Sequence, residues 1–282
     1  LVGSEMCIRD RAYEASRLDD SETHKMLSKT YPYTILITED DDEVRCFLER
    51  ELSPHFKTRT AANGKDALRV LEEEEISLVV SDVMMPEMNG FELCRMIKSQ
   101  LPFSHIPVIL LTALTDERQR IFGITGGADD YIQKPFHTDY VKIKIIHLLQ
   151  ERQKLRERLL EKLRDNKLLL SEPEKVESID DAFLRKFAEQ IEAVYADPEY
   201  NVEKLSETLG LSRGHLHRKI KELTGTAPVE FLRTYRLNKA TQLLRQNAYT
   251  VSEVAYRTGF SSPAYFSKCF KAVYGVTPTE YQ

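Results

Sequence analysis

Between Thr34 and Leu149 the chain alternates short apolar runs with stretches whose apolar residues recur at helical spacing, and few folds satisfy that alternation. The runs are Thr34–Thr38, Lys57–Thr60, Leu78–Ser81, Pro107–Leu111 and Tyr131–Ile132. The stretches between them carry Val44, Phe47, Leu48 and Leu52, then Ala67, Leu68 and Leu71, then Phe91, Leu93, Met96 and Ile97, then Ile121 and Ile124. Five such β/α units over ~115 residues predict a doubly wound, five-stranded parallel sheet with helices on both faces. Ligands of such sheets bind beyond the carboxyl ends of the strands. The residues at those ends therefore carry the functional information.

The first run ends in Glu39-Asp40-Asp41-Asp42-Glu43, the third in Asp82 and the fourth in Thr112-Ala113, and the fifth is followed by Lys134-Pro135-Phe136. Each is ordinary alone. An acidic run is usually a solvated helix start, Lys-Pro is an ordinary turn, and a threonine often closes a strand. Their conjunction at one edge of one sheet is not ordinary. Clustered carboxylates raise each other's pKa and resist ionising together unless a cation is present. Hard oxygen ligands with retained waters suit Mg²⁺. A carboxylate, a divalent cation, a lysine and a threonine hydroxyl make a site that could take up a phosphoryl group as an aspartyl phosphate.

At this point residues 34–149 resemble the receiver domain of two-component response regulators, a flavodoxin-like fold. The strings that carry the resemblance are ILITEDDDEVR, SDVMMPEMNGFELC, PVILLTA and GADDYIQKPF. The resemblance implies Asp82 as phospho-acceptor, with Glu39 and Asp40 as the acidic pair that holds Mg²⁺ and the Met84 backbone carbonyl as a further metal ligand. It implies that Lys134 pairs with the phosphoryl oxygens and that Thr112 and Tyr131 are a switch pair.

The rest of the chain divides by composition. Residues 1–32 read as an N-terminal tail, of which Leu1–Arg11 (LVGSEMCIRDR) has no period and looks non-native. The receiver-like region covers 33–150. Residues 151–178 read as a helical linker, the last receiver helix running on with Leu155, Leu159 and Leu163 among charges, then a polar hinge at Ser171–Ser178. That helix is either a solvated spacer or a dimerising element. Residues 179–282 form a second domain. The four cysteines, Cys7, Cys46, Cys94 and Cys269, are scattered, which excludes a disulfide framework and points to a reducing cytoplasm. No run approaches the ~20 apolar residues of a membrane span, so no membrane contact is expected.

The formal net charge of −5 conceals an asymmetry. Thr34–Leu149 holds 13 basic against 20 acidic residues, whereas Leu211–Tyr274 holds 11 against 3. An acidic half joined to a basic one suggests a cation or phosphate site in the first and a polyanion partner for the second.

The basic half is one unit written twice. Gly210-Leu211-Ser212 recurs as Gly259-Phe260-Ser261, Leu216…Ile220-Lys221 as Phe266…Phe270-Lys271, and Leu223…Pro228 as Val273…Pro278. Each unit reads as a helix (Val202–Leu209; Val251–Thr258), a glycine turn, a serine cap and a second helix, which is a helix-turn-helix. A longer helix, Val229–Gln246, joins them. At 100° per residue, Leu216, Ile220 and Leu223 face inward in the first copy, and Phe266, Cys269, Phe270 and Val273 in the second. The outward faces present Gly214, His217, Arg218 and Lys221, with Arg213 at the helix start, and Ala264, Lys268 and Lys271 flanked by Tyr265 and Ser267. Both faces offer cations and hydrogen-bonding groups suited to phosphates and base edges.

Residues ~180–281 resemble the AraC-type DNA-binding domain, all-α with two helix-turn-helix units. The resemblance rests on NVEKLSETLGLSRGHLHRKIKELTGTAPVEFLRTYRLNKATQLL and TVSEVAYRTGFSSPAYFSKCFKAVYGVTPTEY. Together the two resemblances imply a transcriptional response regulator. A histidine kinase would be its phosphodonor, double-stranded DNA its partner, and a homodimer its phosphorylated form. The chain shows no ATP-binding glycine motif and no phospho-accepting histidine helix, so it is not expected to be an enzyme. The alternative is the C-terminal part of a hybrid sensor histidine kinase.

Overall fold

β-Branched residues make up four of the five positions of the first run, and all five runs form strands: β1 (Thr34–Thr38), β2 (Lys57–Ala61), β3 (Leu78–Asp82), β4 (Val108–Thr112) and β5 (Asp130–Gln133). The structure is a computed structural model that describes residues 25–113, 127–164 and 178–282, without the side chains of 158–164. Every pairing is parallel, in the order β2-β1-β3-β4-β5. β3 and β4 are buried along their whole length, as strands covered on both faces must be, whereas the edge strand β2 alternates exposed and half-buried residues before Ala61. The order reverses between β1 and β3, which opens a crevice at their carboxyl ends.

The helices of this unit are α1 (Asp42–Leu52), α2 (Gly64–Glu73), α3 (Gly90–Ser99) and α4 (Thr138–Arg164). Ile35, Ile37, Val80, Ile109 and Leu111 of the sheet pack against Leu48 and Leu52 of α1 and Val141 and Ile145 of α4. The strands run slightly past their expected ends. Asp82 is the last residue of β3, in register with Leu111, and Thr112 is the last of β4. α4 continues unbroken into the expected linker. Its early apolar residues Val141, Ile145, Ile146 and Leu149 are core, while Leu155 is 55% exposed. The expected helix bearing Ile121 and Ile124, the hinge at 171–177 and the tail up to residue 24 lie outside the described residues.

The described residues form two compact units. One reaches to Met96 and resumes at Ile106–Gln150, and the other comprises Ile97–His105 and Glu151–Gln282. The second unit holds α5 (Ile179–Val194), α6 (Val202–Leu209), α7 (Arg213–Thr224), α8 (Pro228–Arg245), α9 (Val251–Arg257), α10 (Pro263–Tyr274) and α11 (Pro278–Tyr281). α5 has no counterpart in the repeat. It starts with a Ser178–Asp181 capping box and buries Phe183, Phe187 and Ile191 at four-residue spacing. One core joins α5, α6 and α7 to the first half of α8 through Phe231, Leu232 and Tyr235. A second joins Leu237, Ala240 and Leu244 of α8 to α9 and α10.

Two expectations from the repeat need correction. The residue that caps α10 is Ser262, which accepts a bond from Tyr265 N, not Ser261. The second copy has one extra residue in its turn, so its helix starts one position later than strict alignment with Ser212 implies. Val273 is not a core residue either, because it is 50% exposed. Its inward place is taken by Tyr274, whose ring lies 4.6 Å from that of Phe270 and whose hydroxyl bonds to Asn238 Oδ1 at 2.6 Å. Stepping four residues from Phe270 follows the 3.6-residue period more closely on this face than stepping three.

Candidate functional site

The acidic run after β1 is divided by the helix that follows it. Asp41 is the N-cap of α1, and its Oδ1 accepts the amides of Glu43 at 2.8 Å and Val44 at 3.1 Å. Asp42 and Glu43 fall in the first turn, where carboxylates favour the helix dipole. Arg45 donates to the Glu39 carbonyl at 2.7 Å and pairs with Asp42. Only Glu39 and Asp40 are left to face the crevice.

There they meet Asp82. Carboxylate oxygens of Glu39, Asp40 and Asp82 lie within 4.8 Å of one another, with Glu39 and Asp82 buried and Asp40 exposed. Lys134 Nζ lies 2.9 Å from Glu39 Oε2 and 3.0 Å from Asp82 Oδ1. Its loop is held by the Lys134 amide, which donates to the Thr112 carbonyl at 2.7 Å. Burial, and then repulsion from Asp82 and Asp40, raises the Glu39 pKa against the pull of Lys134. Burial alone would lower the Lys134 pKa, but its bonds to Glu39 and Asp82 raise it overall. The pocket thus gathers three carboxylates around one ammonium. Such an oxygen donor set matches a hard divalent cation.

Thr112 is buried at the end of β4. Tyr131, on β5, is half-buried, and its phenol is pushed up to about 12, first by burial and then by Cys94. Met84 follows Asp82 by two residues and is 67% exposed.

The sequence reading missed two residues that hold Asp82. Ser81 Oγ donates to the Asp82 carbonyl at 2.8 Å. Gly90 opens α3 with its amide bonded to the Val83 carbonyl at 3.0 Å. A Cβ there would lie 3.0 Å from the Asp82 carbonyl carbon and from Val83 Cα, and closer still to the Asp82 carbonyl oxygen. The Asn89-Gly90 pair is a turn signal that could have marked this close approach.

The basic faces of the second unit are mostly as expected. On α7, His217 and Lys221 are exposed and Arg218 is half-buried. Arg213 is exposed and paired with Glu203 at 2.7 Å. Lys219, beside this face, is fully buried, with Nζ 2.6 Å from Asp180 Oδ1 and 5.1 Å from the Phe183 ring centroid. Burial lowers its pKa and Asp180 opposes that shift. Lys219 is therefore a structural cation and not part of the reading face. On α10, Lys268 and Lys271 are exposed and Tyr265 is 52% exposed. Ser267 is half-buried and donates its hydroxyl to the Pro263 carbonyl at 2.9 Å, which leaves its oxygen only acceptor capacity.

Family comparison agrees with both halves. The response regulator receiver domain matches residues 35–146, and a helix-turn-helix domain matches 205–282. The chain is a receiver domain joined to an AraC-type helix-turn-helix domain. This receiver–AraC chain is 37% identical over 265 residues to histidine kinase P4 of Formosa agariphila, covering 94% of the chain and 19% of that protein. Its receiver is 43% identical over 121 residues to the transcriptional regulatory protein GltR of Pseudomonas aeruginosa, covering 43% of the chain and 50% of GltR. A solved receiver domain of a signal transduction histidine kinase from Syntrophus aciditrophicus is 38% identical, with a TM-score of 0.41, covering 42% of this chain and 91% of that one. The chain thus spans about a fifth of the first relative and half of the second. Among the described residues, no helix is long and apolar enough to cross a membrane.

Proposed function

We propose that the chain is a phosphorylation-gated transcriptional regulator in which Asp82 accepts a phosphoryl group from a histidine kinase and the two helix-turn-helix units read double-stranded DNA. The observation that carries this reading is the meeting of Glu39, Asp40, Asp82 and Lys134 at the switch point of a parallel sheet. The same chain carries two copies of a basic reading helix.

Asp82 supplies the attacking oxygen. Glu39 and Asp40, with Asp82, are the residues that would hold Mg²⁺, joined on the resemblance by the Met84 carbonyl. The cation, when bound, offsets the negative charge of three carboxylates and an incoming phosphoryl group. Lys134, already 3.0 Å from Asp82, is placed to pair with a phosphoryl oxygen. Thr112 ends β4, the strand beside Asp82, and Tyr131 lies on the next strand in register with Leu110; on the resemblance this hydroxyl and this ring are the pair that responds to the modified aspartate. The chain acts as phospho-acceptor, not as kinase, in the cytoplasm, and pairs with a second copy when phosphorylated.

The test is incubation with a small phosphodonor and Mg²⁺, followed by intact mass. One acid-stable, base-labile phosphate is expected on the wild-type chain and none on Asp82→Asn. Full labelling of Asp82→Asn would refute the assignment.

The match to histidine kinase P4, over 94% of this chain and 19% of that protein, supports a second reading, in which this chain is the output end of a hybrid sensor. Sequencing the genomic region upstream of Ala12 separates the two, since a kinase core in the same reading frame decides for the hybrid.

A further inference from the structure

The two DNA-reading units share α8, which gives its first half to one core and its second half to the other. A helix fixes the rise between two bodies at ~1.5 Å per residue. It leaves each body able to rock about the shared axis unless a second attachment stops it. Arg236 sits at the junction of the two cores, between Tyr235 of the first and Leu237 of the second.

The Arg236 side chain reaches back to the end of α5. Its Nε donates to the Tyr195 carbonyl at 2.7 Å and its Nη2 to the Asp197 carbonyl at 2.6 Å. Tyr195 is the C-cap of α5. Helix C-termini leave carbonyls without intrahelical partners and favour cations, and the planar guanidinium can serve two acceptors at once. One turn along α8, Lys239 reinforces the joint. It pairs with Glu192 at 2.8 Å and lies over the rings of Tyr195 and Tyr235 at 5.5 and 5.4 Å.

The turn of the second helix-turn-helix closes on the same spot. Gly259 has φ +78°, and a Cβ there would lie 2.8 Å from Arg236 Nε and closer still to the Tyr195 carbonyl oxygen. The repeat supplies an internal contrast. Gly210, the matching turn glycine of the first unit, has φ +68° but nothing within 4 Å of where its Cβ would be. Both turns need a left-handed residue, but only the second also needs a bare Cα, because it is pressed against the α5 end and the arginine that caps it.

We infer that Arg236, with Gly259 against it, is a positioning residue that locks the second helix-turn-helix to α5 and so fixes the spacing at which the two reading helices meet DNA. The inference rests on the DNA-reading function proposed above. It predicts a specific defect. Releasing the joint should leave each unit able to bind its own segment but should relax the demand for one spacing between the segments.

The test is a spacing scan with the full chain on a site selected by the wild-type protein, with one base pair inserted or deleted between the two protected segments. Each base pair turns the second segment by about a tenth of a helical turn. The wild-type protein should lose affinity on the order of tenfold for the altered sites, comparable to a mismatched base pair. Arg236→Ala should bind the native site several-fold more weakly and bind the altered sites nearly as well as the native one. Gly259→Ala should behave like Arg236→Ala, while Gly210→Ala should keep the wild-type spacing penalty. An Arg236→Ala protein with an undiminished spacing penalty overturns the inference. Because Gly259→Ala could fail to fold, a second measurement needs no DNA. Site-specific spin labels at exposed Glu207 and Ala272 should give a broader distance distribution in Arg236→Ala than in the wild type, and an unchanged width refutes the lock. If the wild-type protein selects no DNA site while Arg236→Ala still broadens the distribution, the DNA reading fails and the lock stands.

Discussion

Replacing Gly90 with alanine adds one methyl group where the backbone of Asp82 leaves no space for it. The Cβ would lie 3.0 Å from both the Asp82 carbonyl carbon and Val83 Cα. Ordinary carbon contacts need ~3.5–4.0 Å, so these carbons alone require α3 and the end of β3 to part by ~0.5–1 Å, and the Asp82 carbonyl oxygen, closer still, requires more. No side chain's flexible end can absorb that movement, because the three nearest atoms are all backbone. The Gly90–Val83 bond at 3.0 Å lies across the gap, and the Ser81–Asp82 bond at 2.8 Å holds the same Asp82 carbonyl. Overpacking of this kind costs ~1–3 kcal/mol, and a weakened bond adds about 1 kcal/mol. The receiver unit should therefore lose ~2–4 kcal/mol. Function should suffer more than stability, since a shift of about 1 Å at a reacting group can cost ~100-fold in rate. The assay pairs labelling kinetics from a small phosphodonor with hydrogen exchange at the β1 and β3 amides, which isolates the receiver from the DNA-binding unit. Phosphorylation of Gly90→Ala at the wild-type rate, with unchanged exchange protection, would show that the close approach does not position Asp82.

The other predictions concern pH and DNA contacts. Burial raises the Tyr131 phenol to about 12, so the folded state holds its proton while the unfolded chain releases it near 10. The stability this provides is complete below pH 10 and is lost as pH rises towards 12. Tyr131→Phe should flatten that alkaline loss in a denaturation series, and an unchanged slope would count against the buried phenol. On α7, Arg218→Ala should cost ~1–3 kcal/mol on a selected site and relax preference at one base position. Equal losses on selected and scrambled DNA would make Arg218 a phosphate contact. On α10, Lys271→Ala should weaken binding to all sequences and reduce the salt slope by about one, and a loss confined to the selected site would contradict that role.

The parts of this molecule that were legible in its sequence depend on local pattern. The ends of β1, β3, β4 and β5 could be read because each of those runs stops at a polar group, and the resulting set of Glu39, Asp40, Asp82 and Lys134 is the set that the fold brings together. The division of the acidic run was not legible, because five consecutive acids do not reveal which one caps the helix, and the structure gives that role to Asp41. Lys219 was invisible for a different reason. It lies only about 60° round the helix from Leu216, at the margin of the core face, and whether a lysine there snorkels outward or turns in depends on a partner far away in sequence. Asp180, on a helix that the repeat did not contain, decides it. The displaced cap at Ser262 follows from a one-residue insertion in the turn that strict alignment of the repeats conceals, and the exchange of Val273 for Tyr274 follows from the 3.6-residue period. Gly90 had a visible turn signal, but its closeness to Asp82 is a tertiary fact.

How phosphorylation of one unit reaches DNA contacts on the other can be narrowed by charge alone. An aspartyl phosphate adds negative charge to a half of the chain that is already acidic. By itself that addition opposes binding to a polyanion, and beyond a Debye length of ~8 Å at physiological salt it is largely screened. A direct field therefore has the wrong sign to strengthen DNA binding. Pairing of two phosphorylated chains has the right sign, because it joins two sets of basic helices on one DNA. Three cations per chain, Lys221, Lys268 and Lys271, would give a salt slope of about −2.7 if each met one phosphate, and a pair would give about twice that. The expected result is that phosphorylation roughly doubles the slope of log affinity against log salt on a two-site DNA and leaves it unchanged on a one-site DNA. An unchanged slope on both would refute pairing in favour of release of a single chain. A phosphorylated form that binds more weakly at low salt and equally at high salt would show that the charge itself is acting.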